Sequence, residues 1–225
     1  MLVFTAIVPP RAALVELIDV VDSVLAVPTA TEAPARRGLL GRRRDRSAVT
    51  TDVVSSPYDP VRSRARLGDL HLPVAKLGNL TTGDIITVTE ALRASLADLP
   101  RPTVTFAGGG AIDSDRDKDF WAQLEGDLAE LSAIATQINA VAQRHGILVD
   151  RRIFHPWLSL TPLTGELTEA DQERLLTRLE DFRGQSWTID GVSLMTPANT
   201  SDPEAFKELQ HLPLATPGVV GSAGQ

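Results

Sequence analysis

Apolar positions along the chain keep two spacings, alternation and a helical repeat, and they switch between them in a regular order. Residues 2–8 are almost continuously apolar and predict a strand. Leu14, Leu17, Ile18, Val21 and Leu25 then recur at helical spacing and predict a helix over 11–25. A strand is predicted at 70–77 and a turn at 79–83. Thr81 and Asp84 stand at capping-box spacing ahead of a helix to Leu96, with Ile85, Val88 and Leu92 facing inward. Residues 103–106 read as a strand, and Gly108, Gly109 and Gly110 as a bend between two halves. The second half repeats the order. It predicts a strand at 120–124 and a helix over 126–145. The helix carries an apolar stripe from Leu128 to Ala142, with Gly146 as its cap. A strand over 152–163 follows, then a helix over 168–182 started by Thr168 and Asp171 and ended by Gly184. Strands at 186–189 and 192–195 close the unit.

The stretch 152–163 is unusual for a half-buried strand. Alternation places His155, Trp157, Ser159 and Thr161 on one face and Phe154, Pro156, Leu158 and Leu160 on the other. One face is apolar, whereas the other holds an imidazole, an indole and two hydroxyls. Residues 71–96 laid over 157–182 share a strand, turn and capped-helix rhythm, and a duplication explains it. The fold expected is α+β: two pseudo-symmetric lobes of antiparallel sheet, with outer helices, around a central cleft. The central strands at His71 and Trp157 would line that cleft. The whole chain, 1–225, reads as one bilobal domain with halves 1–110 and 111–225.

Composition narrows the chemistry. With 225 residues, 43% of them hydrophobic, the chain can bury a sizeable core. The absence of cysteine excludes disulfides, thiolate zinc sites and cysteine nucleophiles. A net charge of −7 works against nonspecific nucleic-acid binding. Residues 28–67 are rich in Pro, Ser, Thr and Arg and are expected to form a mobile insert. Its basic run (Arg36, Arg37, Arg42, Arg43, Arg44, Arg46) either guides a phosphate backbone to the cleft or is a solvated loop. No apolar run reaches the ~20 residues of a membrane helix. The apolar start lacks a basic lead and ends in Pro9 and Pro10, so a cytoplasmic monomer without membrane contact is expected.

Several motifs fail on inspection. The glycines at 108–110 lack the Gly-Lys-Ser/Thr of a phosphate loop. The acidic run 113–119 would need glycine at Lys118 and glutamate at Leu124 to hold calcium, so it reads as a solvated turn. His145 sits near a helix end, and His211 reads as a surface residue. No metal or other cofactor is implied.

The segments FTAIVPP, HLPVAKLGNL, FWAQLEGDLAEL and FHPWLSLTPL, in that order, resemble the two-histidine (2H) phosphoesterase superfamily. This group contains the bacterial 2′-5′ RNA ligase-like proteins and RNA 2′,3′-cyclic phosphodiesterases. The resemblance spans nearly the whole chain outside 28–67, including the closing stretch 206–214. The family motif is His-x-Thr/Ser-x, once per half. Here His71 keeps the first histidine and Pro73 replaces its hydroxyl; Trp157 replaces the second histidine and Ser159 keeps its hydroxyl. The resemblance implies a ligand that is an RNA end or a nucleotide with a 2′,3′-cyclic or terminal phosphate. Opening a cyclic phosphate takes a base to activate water and an acid to protonate the leaving oxygen, with hydroxyls on the non-bridging oxygens. An indole has one N–H donor and does not titrate, and proline has no donor at all. Three readings follow. The cleft binds such a phosphate through His71 and Ser159, with Trp157, Pro73 and Thr161 lining it, and hydrolysis is weak or lost. Alternatively His155 replaces the missing histidine, although along a strand it lies ~6.6–6.8 Å from Trp157. Otherwise the scaffold serves a non-catalytic protein interaction. Trp157 itself is either packing or a base-stacking surface.

Overall fold

A computed structural model of the chain describes residues 1–26, 58–113, 118–149, 154–164, 167–198 and 205–215. Strand β1 (Leu2–Ile7) passes through two prolines into helix α1 (Arg11–Leu25), whose predicted stripe from Leu14 to Leu25 is buried. Described structure resumes at Tyr58, inside the stretch expected to be a mobile insert. Asp59 caps α2 (Pro60–Ala65) by accepting from the backbone N–H groups of Val61 and Arg62, and Pro60 fits the first turn because its missing N–H has no partner to lose there. Short as it is, α2 is fastened down. Arg64 pairs with Asp19 and Asp22 of α1, and Tyr58 Oη donates to Asp22 at 2.5 Å. Burial, with that hydrogen bond, pushes the Tyr58 phenol far above its ordinary range, so it remains a donor. A 3-10 turn, Arg66–Asp69, then delivers the chain to β2 (Leu72–Asn79). The arginine run at 36–46 lies outside the described residues.

Helix α3 (Thr82–Leu96) starts at a reciprocal Thr81–Asp84 capping box, as the spacing predicts. β3 (Thr103–Asp113), β4 (Lys118–Gly126), α4 (Leu128–Arg144) and β5 (Trp157–Ser159) follow. Next come α5 (Thr161–Thr164), α6 (Glu169–Glu180), β6 (Arg183–Thr188), β7 (Gly191–Pro197) and β8 (Phe206–Pro213). Three expectations change. Gly108, Gly109 and Gly110 are not a bend between halves; they lie inside β3, where the register shifts between Phe106 and Gly109 and Gly108 takes φ +74°. Gly184 does not end α6 but belongs to β6, where a Cβ would come within 2.6 Å of the Glu16 carboxylate. The strand predicted at 152–163 is confined to three residues. Leu160 makes one more bond to the Phe120 carbonyl, after which Pro162 and the Leu163 and Thr164 amides turn the chain into α5.

The strands form two four-stranded antiparallel sheets, ordered β2-β1-β7-β8 and β5-β4-β3-β6. The fold is α+β. β2-β1-β7 matches β5-β4-β3, and the helix contacts agree, since α1 packs on α6 as α4 packs on α3. Each sheet nevertheless takes strands from both halves of the chain, because β3 joins the second sheet and β7 the first. A continuous buried cluster contains side chains of both sheets. The strands at His71 and Trp157 are edge strands, not central ones as expected, and only an edge accommodates Pro73 without losing a ladder bond.

Candidate functional site

The edge strands β2 and β5 touch one another, and each carries core-facing leucines next to its site positions. On β2, Leu72 is 0% exposed and sets the parity, so His71 and Pro73 point away from the core. His71 stands just before the strand, on the chain leaving the 3-10 turn. Its Nδ1 lies 2.8 Å from the Asp69 carbonyl oxygen. A carbonyl only accepts, so Nδ1 carries the proton and the neutral ring leaves its Nε2 lone pair free. The ring sits against Phe206 (centroids 4.6 Å apart, edge-on) and Phe4 (5.3 Å), which also touch each other at 5.2 Å. Burial lowers the His71 pKa below its ordinary value, and the Asp69 carbonyl and carboxylate only partly oppose this. The imidazole is therefore neutral near pH 7, in the form that accepts a proton.

On β5, Leu158 is likewise 0% exposed, and Trp157 and Ser159 point the other way. Ser159 pairs across to Trp121 of β4, and its residue is exposed. Trp157 is half-buried and tilts against Trp121, with centroids 5.3 Å apart. Trp121 in turn lies over Gly110, where a Cβ would be 2.5 Å from the indole. The expectation about His155 needs correcting. The Trp157 N–H donates to the His155 carbonyl at 2.9 Å, a three-residue turn centred on Pro156. That turn folds the imidazole back over the indole, so the rings stack at 4.4 Å and 9° instead of standing a strand's spacing apart. Thr161 has left the strand; it opens α5, and its hydroxyl donates to Asp119 at 3.2 Å.

The structure thus brings together the strands of His71 and Pro73, on one side, and of Trp157 and Ser159, on the other, with His155 stacked beside them. Three aromatic residues join that the linear pattern does not single out: Phe4, Trp121 and Phe206. Trp121 was within reach, because it shares parity with Gln123 across from Trp157. Phe4 and Phe206 meet His71 only through sheet pairing between opposite ends of the chain. The same face of the first sheet carries a second polar group. Ser193 Oγ donates to Glu208 at 2.8 Å, and His211 lies 3.7 Å from Glu208 and 3.9 Å from Asp190. Among the described residues, no three His, Asp or Glu side chains converge as metal ligands, and no helix is long and apolar enough to cross a membrane.

No protein-family model matches the chain, and no curated protein matches it either. Solved structures do. TT0787 of Thermus thermophilus is 19% identical, with 97% of this chain and 100% of that one covered and a TM-score of 0.58. E. coli LigT in complex with 3′-AMP is 16% identical, with 96% and 98% covered and a TM-score of 0.57. A protein described as a phosphoesterase is 17% identical over 96% and 98%, at 0.55. At these identities the likeness establishes the fold.

Proposed function

We propose that the cleft where β2 meets β5 is a degenerate 2H phosphoesterase site that binds the phosphate of a nucleotide or RNA end and hydrolyses it slowly or not at all. The observation that carries this reading is the state of His71: tautomer fixed by the Asp69 carbonyl, Nε2 free and ring neutral. A ring in this state accepts a proton from water or from the P–OH of a terminal phosphate, and once protonated it hydrogen-bonds that phosphate. Ser159 supplies an exposed hydroxyl donor on the opposing edge. The nucleotide held by the LigT of E. coli, 3′-AMP, fits the same ligand class. What the pair lacks is a titrating group at position 157, and a missing general acid or base costs ~10²–10⁴ in rate. Pro73 removes one further donor. The ligand proposed is an RNA end or nucleotide bearing a 2′,3′-cyclic or terminal phosphate, bound without a cofactor. The test is thermal stabilisation by ribose phosphates and nucleotides. It should be present in the native protein, reduced in His71→Ala and absent with sulfate; equal stabilisation of the two proteins overturns the reading.

One observation favours a second reading, an active diesterase that pairs His71 with His155. The turn at Pro156 brings the second imidazole to 4.4 Å from the indole that stands in the motif position. On this reading, His71→Ala and His155→Ala each abolish opening of a 2′,3′-cyclic nucleotide. On the first, His155→Ala does not lower the activity in that assay.

A further inference from the structure

The His155, Trp157 and Trp121 rings form a graded stack. Its inner end is fixed: Trp121 is seated over Gly110, and Trp157 leans on it from a strand whose next residue is buried. Its outer end is loose. His155 is exposed, precedes the strand, and touches a neighbouring ring only through its face. Among the described residues its side chain makes no hydrogen bond. Imidazole is also the smallest of the three π surfaces. The outer face of Trp157 is therefore covered by a flat ring that one side-chain rotation would remove. A nearly parallel stack at 9° shows that this face accepts a planar ring. Ser159 stands two residues on from Trp157, ~6.6–6.8 Å along the strand and on the Trp121 side of the indole.

We propose that Trp157 is a platform for a single nucleobase and that His155 is a stand-in leaf which the base displaces. The occupant is the base of the nucleotide whose phosphate reaches Ser159 and His71, so the inference rests on the phosphate-site reading for the position of the ligand's far end. The surroundings favour a polar ligand edge over an apolar side chain. This face of the sheet continues through Gln123 to Glu125, which is ion-paired with Arg183, and to the hydrogen-bonded hydroxyls of Thr105 and Ser186. A base stacks on any aromatic face, because every base has a π surface, so selectivity among bases is weak.

The two rings give substitutions of opposite sign. The experiment measures equilibrium binding of AMP, adenosine and ribose 5-phosphate by titration calorimetry in the native protein and in three variants. AMP should bind about 5- to 150-fold more tightly than ribose 5-phosphate, the ratio given by stacking worth ~1–3 kcal/mol per base. Trp157→Ala should erase that ratio, lowering AMP affinity to that of ribose 5-phosphate. Trp157→Phe, which keeps a ring and guards against misfolding, should retain most of it. His155→Ala should raise AMP affinity several-fold, because nothing has to be displaced. The inference is overturned if AMP and ribose 5-phosphate bind equally, if the ratio survives Trp157→Ala, or if His155→Ala weakens AMP. It is also overturned if Trp157→Ala abolishes a concentration-dependent self-association while no base-dependent binding exists, which would put a second copy on the stack. Adenosine binding with the same pattern, in a protein that ignores ribose 5-phosphate, supports the platform and overturns the phosphate site. Binding of none of the three probes overturns both.

Discussion

The two edge strands β2 and β5 hold equivalent positions in their sheets, yet they present opposite kinds of side chain. On β2 a titratable ring is caged between two phenyl groups and has its tautomer set by a carbonyl. On β5 a ring that cannot titrate lies in a stack whose outer member is exposed. The core sides of the strands do not differ in this way, since Leu72 and Leu158 are equally buried. The difference teaches that packing constrains one face of each strand and leaves the other free to change function. On the proposed reading, proton transfer stays with one edge and recognition belongs to the other.

On the proposed reading, placing an imidazole at position 157 tests this contrast with the largest effect. Trp157→His should raise the rate of opening a 2′,3′-cyclic nucleotide by ~10²-fold or more, the usual contribution of a general acid or base. If the rate stays flat, Pro73 or a closed cleft also limits it. The matching side of the comparison is probed by Leu72→Ala and Leu158→Ala. Each should lose about 2–5 kcal/mol in denaturant unfolding, with the two values close together, because both side chains leave cavities at equivalent depth. A large gap between them would mean the strands are not energetically equivalent.

Acid should separate the two edges more gently. The folded His71 pKa is lowered, so between that value and the ordinary ~6.5 the unfolded chain binds more protons. His71 therefore lets the protein lose stability as pH falls through about 6.5, and the loss levels off below the folded pKa. Melting temperatures from pH 8 to pH 5 should fall less steeply in His71→Gln than in the native protein. Parallel curves would remove the claim that burial controls this ring. The smallest effects belong to the caps. Thr81→Ala and Thr168→Ala remove equivalent side-chain acceptors from α3 and α6, and each should cost about 0.5–2 kcal/mol.

Local signals made much of this fold legible. The stripes of α1 and α4 and the caps at Thr81 and Thr168 depend on residues a few positions apart, and they appear where the spacing puts them. Gly146 takes the positive φ that its place after α4 demands. The site was legible in its members but not in its geometry. Alternation alone set His155 a full strand's spacing from Trp157, and the Pro156 turn, a departure from strand geometry, brings the rings together. It also carried Thr161 along the strand, although Pro162 already marks a helical first turn. The cage around His71 is further out of reach. It joins positions 4, 71 and 206 through pairings β1–β2, β1–β7 and β7–β8, and no short-range period encodes such partners.

The exchange of third strands has a mechanical consequence. The second sheet is one uninterrupted stretch, 103–188, whereas the first is built from residues before and after it. Entry and exit of that stretch lie side by side: Thr103 pairs with Thr188, and the Ile189 N–H donates to the Pro102 carbonyl at 2.9 Å. Tension applied between residues 2 and 213 would run through the first sheet and cross this clasp without entering the second. Because α1 packs on α6 and β6, unravelling the first sheet would still draw a helix off the second.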